Sequence, residues 1–174
     1  ASGSRLKAVA STLDGDLLRQ SDGMAVFTVQ IDASGALSFL CGGKYLTAGA
    51  TGNSLSLADA PSDYSLWTLE ATDGGFFIRS VNAQYSGNAQ YVEFYNGFTV
   101  YGMNANKKNI YTFQLFTPAQ SKTDPVTGLS DGDEIAIYIP VRGGLAVGRD
   151  DERGVIILDG TEAKAIVDGG VGSV

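Results

Sequence analysis

The chain has no histidine and only one cysteine among its 174 residues. The first absence removes the commonest general base, the Ser-His-Asp and Cys-His arrangements and almost every zinc site. The second excludes an intrachain disulfide. Cys41 alternates with Leu37 and Phe39, a position that fits a buried small hydrophobe better than a nucleophile. Positive charge is scarce: 12 Lys and Arg stand against 19 Asp and Glu, a formal charge of -7 with a pI near 4.4. The only adjacent basic pair is Lys107-Lys108, so there is no basic stripe and nucleic acid is not expected as a partner. No apolar run is long enough to span a bilayer as a helix, so no membrane insertion is expected, and no stretch reads as a signal peptide. The opening Ala-Ser-Gly-Ser, without methionine, reads as a piece cut from something longer.

What the chain does have is glycine, 23 residues of it, with 44% apolar and 10% aromatic residues. That is enough apolar surface to offset chain entropy, in a composition suited to short strands and tight turns. Apolar residues alternate: Leu37, Phe39 and Cys41; Leu55 and Leu57; Phe76 and Ile78; Phe94, Phe98 and Val100; Ile135, Ile137 and Ile139. Period two, bounded by Gly, Asn, Asp and Ser, predicts half-buried antiparallel strands. Only Leu13 to Arg19 and Glu162 to Val167 have any helical character, and loop or strand is the better reading of both.

Phrases recur along the chain. Tyr45 precedes Trp67, and Tyr91 precedes Phe113, by the same 22 residues. Sliding the pattern back 40 positions takes Trp67 to Phe27, and sets Leu6 on Leu46, Ala8 on Ala48 and Leu17 on Leu57. Sliding it forward sets Gly144-Leu145-Ala146 on Tyr45-Leu46-Thr47. Each unit is then about four strands in roughly 40 residues, which cannot bury its apolar face alone. Three such units predict an all-β, β-trefoil-like closed barrel in pseudo-threefold arrangement, with Phe27, Trp67 and Phe113 filling a shared core. A β-propeller, the main rival, needs more than the units present.

The first unit lacks its opening strand. The expected organisation is a trefoil-like module over 1–120, a polar, proline-containing linker over 121–129, a strand pair over 130–147, and an adjunct or the start of a following module over 148–174. The strand pair completes the barrel in cis, or it completes a neighbouring module or chain by strand exchange.

The run Trp-x-Leu-Glu-Ala-x-Asp-Gly-Gly-Phe-Phe-Ile-Arg-Ser-Val-Asn from Trp67 resembles β-trefoil modules of the ricin-B-like and fascin-like kind. Leu-Ser-Asp-Gly-Asp-Glu-Ile-Ala-Ile-Tyr-Ile-Pro from Leu129 is similar to the start of repeated modules in cell-surface or secreted proteins of Gram-positive gut bacteria. The resemblance implies an extracellular or cell-surface location and an accessory role beside hydrolase or adhesive domains. The ricin-type Gln-x-Trp signature is absent, since the matching positions read Leu66-Trp67-Thr68 and Thr112-Phe113-Gln114.

No enzyme is expected. Asp14 and Asp16, and Asp131 and Asp133, flank glycines as ordinary turn residues rather than glycosidase pairs. Neither Asp131-Gly132-Asp133-Glu134 nor Asp150-Asp151-Glu152 has the spacing of an EF-hand loop, and for the latter run solvated charge is a better reading than a turn-level calcium site. Gly42-Gly43 and Gly74-Gly75 lack the following helix of a phosphate loop, so no cofactor is expected. A glycan is the candidate ligand, because flat rings stack on sugar C–H faces while amides take the hydroxyl hydrogen bonds. The candidate residues are Tyr85, Tyr95, Asn82, Asn88 and Gln90, in and beside an Asn-rich loop from Asn82 to Gln90. Phe94 and Phe98 are read as packing residues. The competing function is a structural spacer or protein-interaction module without a small ligand, attached to a hydrolase or adhesin.

Overall fold

The computed structural model describes residues 5–11, 13–14, 17–18, 23–103, 110–117, 129–139 and 144–146. No α-helix occurs among them. The chain begins with β1 (Ala8–Ala10), the short β2 (Leu13–Asp14) and β3 (Leu17–Leu18), and β4 (Phe27–Ile31). Next come β5 (Leu37–Cys41), β6 (Lys44–Ala48), β7 (Leu55–Ala58), a 3-10 turn at Asp63–Ser65, and β8 (Trp67–Thr72). β9 (Gly75–Tyr85), β10 (Asn88–Phe94), β11 (Phe98–Gly102) and β12 (Gln114–Phe116) lead to β13 (Glu134–Ile139) and β14 (Gly144–Ala146). The predicted all-β class is observed, and Leu13 to Arg19 carries a small antiparallel pair, Leu13 opposite Leu18, rather than a helix.

Alternation makes these strands: Phe27 and Val29 point inward from β4, and Leu37 and Phe39 from β5, while their neighbours are partly solvated. The main sheet runs β1-β14-β13-β4-β5-β8-β9-β10-β11, with β12 beside β13 and the β6–β7 pair beside β5. As ladders the path is open. A single bridge, Leu6 to Phe98, links its two ends, and a second, Phe76 to Phe113, links β9 to the residue before β12.

Pairing register positions the large residues. Phe27 lies opposite Ile135, Trp67 opposite Leu37 and Phe113 opposite Phe76. Two residues further along, Val29 faces Phe39, Leu69 faces Ile78 and Leu115 faces Ile137. Phe27, Trp67 and Phe113 are all fully buried in one apolar cluster, together with Phe39, Leu46, Ile78 and Phe98. Each such side chain contributes roughly 1.5–3 kcal/mol of transfer free energy. Phe27 and Phe39 meet edge-on, 6.4 Å apart, whereas Phe98 and Phe113 are tilted at 39° and 6.0 Å.

β13 is the seam. It pairs with β4 on one side, with β12 on the other, and continues into β14. The turn ahead of it is fastened to β4 as well: Asp131 Oδ1 accepts from the Ile31 N–H at 3.0 Å, and the Gly132 N–H donates to the Val29 carbonyl at 2.8 Å.

Two register expectations are corrected. β14 follows β13 as β6 follows β5, with Tyr138 facing Leu145 as Leu40 faces Tyr45, so Leu145 rather than Gly144 matches Tyr45. Ala8 then faces Ala146 as Leu57 faces Leu46, so β1 stands where β7 stands and Leu6 does not match Leu46. The cause is the β2–β3 pair, which lengthens the path from β1 to β4. A slide of fixed length then finds a false match, because every strand shares one period. Cys41 is half-buried rather than buried, at the core margin, and burial pushes its thiol pKa up. The segments 118–128 and 147–174, with most of the expected linker and all of the expected adjunct, lie outside the described residues.

Candidate functional site

The Asn82 to Gln90 segment is mostly strand, which corrects the expected loop. β9 runs on to Tyr85, β10 begins at Asn88, and Ser86-Gly87 alone form the turn. Both turn residues have positive φ, 50° and 77°, as a tight two-residue hairpin demands. Irregularity sits earlier: Arg79 faces Tyr91 and Gln84 faces Ala89, so four residues of β9, 80–83, stand against Gln90 alone. That bulge turns Asn82 toward the 3-10 turn, where its Nδ2 donates to the Asp63 carbonyl at 2.8 Å.

The five candidate residues do not converge. Tyr85, 48% exposed, stands at the β9–β10 turn, and Tyr95, 58% exposed, at the β10–β11 turn. These turns cap opposite ends of β10, whose length puts them roughly 20 Å apart at about 3.4 Å per residue. Asn88 lies beside Tyr85, its Nδ2 donating to the Ser86 carbonyl at 3.3 Å. Gln90 is fully buried, its Nε2 3.5 Å from the Gly49 carbonyl and its Oε1 without a partner. It faces the interior and is not available to a ligand from solvent. Phe94 and Phe98 pack edge-on at 5.3 Å, both buried, as their strand alternation implied.

The Tyr95 turn is the more elaborately built of the two. The Tyr95 N–H donates to the Gly97 carbonyl at 3.0 Å, and Asn96 takes a φ of 52° between them. Leu6 exchanges both backbone hydrogen bonds with Phe98, at 2.9 and 2.8 Å. Gly97, at φ 125°, is required here: a Cβ would stand 2.8 Å from the Leu6 carbonyl oxygen and 3.2 Å from Arg5 Cβ. Arg5, carried in by this contact, lies with its Cζ 5.7 Å from the Tyr95 ring centroid. Its Nε makes no hydrogen bond. Nothing in the sequence flagged Arg5, because it is 90 residues from its ring partner.

Glu93 is a second residue that the sequence reading passed over. It is 4% exposed, and burial pushes its carboxyl up to about 8 despite hydrogen bonds from the N–H groups of Tyr111 and Phe94. Its signal is a lone charge between Val92 and Phe94 in a strand with no other charged residue. Among the described residues no second carboxylate is paired with it, and Thr99 faces it across the ladder. Asp131 and Asp133 accept from the Ile31 and Ser130 N–H groups respectively, as turn residues do. Among the described residues no group of three or more acidic, Cys or His side chains is placed to hold a metal. Asp16 and the run Asp150-Asp151-Glu152 lie outside the described residues. No helix among the described residues is long and apolar enough to cross a membrane.

No protein-family model and no curated protein matches the chain.

Proposed function

We propose that this chain is a β-trefoil module of an exported bacterial multidomain protein, acting without catalysis to recognise a glycan or another surface ligand. The trefoil reading is supported by pairing that repeats at one register. Closing aromatics face opening strands at Phe27–Ile135, Trp67–Leu37 and Phe113–Phe76, and outer hairpins face at Leu46–Leu57, Val92–Val100 and Ala146–Ala8. Six strands, β13, β4, β5, β8, β9 and β12, each meet the next around a circuit, with the β9–β12 step made through the Phe76–Phe113 bridge. That is the connectivity a six-stranded barrel with three outer hairpins requires. On this reading 130–147 completes the barrel in cis, and the same strand pair is what a neighbouring module would exchange.

The observation that carries the binding function is the exposure of Tyr85 and Tyr95. Among the described residues only Val81 joins them as an exposed large apolar side chain, and the other aromatics whose burial is described are buried or half-buried. Two separated tips, each a ring beside polar groups, suit shallow sugar contacts rather than a deep pocket. The test is a glycan array probed with the native chain and with Tyr85→Ala and Tyr95→Ala. Binding that depends on one tyrosine supports the reading, and binding that survives both changes removes these residues from the site. A spacer role is the second reading, favoured by the internal use of Asn82 and Gln90. It gains if no glycan is retained.

A further inference from the structure

We infer that Arg5 and Tyr95 form a subsite for a carboxylate-bearing sugar, so that the ligand is an acidic glycan. This rests on the glycan reading above and narrows it. Three observations converge on the site. Arg5 is held in place rather than free to roam: Leu6 is locked to Phe98 by two backbone hydrogen bonds, and the missing Cβ of Gly97 lets the Arg5 stem lie against the turn. Its guanidinium is stacked against an exposed ring, 5.7 Å from the centroid. It forms no ion pair with any described carboxylate, in a chain of formal charge -7 where acidic groups outnumber basic ones.

An arginine with that much ordering and no anion is an unfilled donor fork. Guanidinium is planar, weakly hydrated and matched to a planar carboxylate through two parallel N–H···O bonds. Ordering the side chain in advance removes entropy cost from binding. The open part of the Tyr95 ring and its hydroxyl, beside exposed Asn96, offer a surface for the pyranose that carries the acid. A neutral sugar would leave the fork unused. Inorganic sulfate would engage the same fork but brings no pyranose to lie against Tyr95.

Titration calorimetry on the whole chain tests this with four probes: galacturonate oligomers, their methyl esters, a neutral galactan of equal length, and inorganic sulfate. Expected are binding of the acid form that weakens with salt, a loss of about 10–100-fold in Arg5→Gln, and an intermediate loss in Arg5→Lys, which keeps the charge without the fork. Tyr95→Phe should keep most of the affinity and Tyr95→Ala should not. The Leu6–Phe98 bonds are made by backbone, so melting curves of the Arg5 variants should match the native chain. Equal binding of acid and ester, or unchanged binding in folded Arg5→Gln, overturns the acidic subsite. Competition by sulfate as strong as by galacturonate also overturns it. If the neutral galactan binds in these cases, the broader glycan reading stands. If no saccharide binds, both fall.

Discussion

The indole Nε1 of Trp67 donates to the carbonyl oxygen of Leu46 at 2.9 Å, inside the core. It ties β8 to the β6–β7 hairpin, and Leu46 itself is buried. Trp67→Phe keeps an aromatic but leaves that carbonyl without its donor. The expected loss is about 1–3 kcal/mol, against about 3–5 kcal/mol for Trp67→Ala. Urea unfolding followed by far-UV circular dichroism measures both. Equal midpoints for Trp67→Phe and the native chain would show that the hydrogen bond contributes nothing.

Gly75 is where β9 passes closest to the segment before β12. A Cβ there would run into the Phe113 carbonyl oxygen and stand 2.9 Å from Thr112 Cγ2. Gly75→Ala should therefore break the Phe76–Phe113 bridge, whose two hydrogen bonds are 2.8 and 2.9 Å, at a cost of about 3 kcal/mol or more. At Gly74 a Cβ meets nothing within 4 Å, although φ is 80°. Gly74→Ala should cost only about 1 kcal/mol, from backbone strain. Thermal melts that rank the two variants the other way would contradict the close approach.

Glu93 predicts a pH dependence. Its folded value of about 8 lies above its ordinary 4.5, so between those limits the native state holds a proton that the unfolded chain has released. Stability then falls as pH rises through this window and levels off above it. Glu93→Gln removes the titration. Native and variant chains should be similar at pH 4.5, and the variant should be the more stable at pH 8.5, by on the order of a few kcal/mol at about 1.4 kcal/mol per unit. A difference that does not change with pH would place the carboxylate in water.

Ile135 and Ile137 on β13 are buried against β4 and β12. Ile135→Ala should cost about 2–5 kcal/mol. A chain ending at residue 120 should show no cooperative unfolding, and a peptide covering 129–146 should restore it. Full stability of the shortened chain would mean that β13 is dispensable.

Much of this was legible in the sequence, because period-two alternation fixes inward faces before any contact is known. Phe27, Trp67 and Phe113 are all fully buried, and the equal spacing of Tyr45 to Trp67 and Tyr91 to Phe113 matches equivalent pairings, Tyr45 with Leu40 and Tyr91 with Arg79. Register at β1 was not legible. Alternation looks the same wherever a strand pairs, and the inserted β2–β3 pair carries no mark that separates it from its neighbours. The site was less legible still. Tyr85 and Tyr95 are close in sequence, but a straight strand between two residues separates them. Gln90 alternates inward with Val92, and a bulge that redirects Asn82 has no residue signature. Arg5 and Tyr95 meet only through the Leu6–Phe98 bridge, which no local pattern announces.

The hydrogen bond from the Ile31 N–H to Asp131 spans 100 residues of chain. Until β13 has left the ribosome, β4 and β12 each present a row of unpaired backbone groups, the kind of edge on which other chains assemble. Closing so long a loop is slow relative to making hairpins. The interval between synthesis of β4 and emergence of β13 is thus when the chain is most prone to aggregate. Holding factors that shield strand edges would raise its yield more than any agent acting on the finished fold.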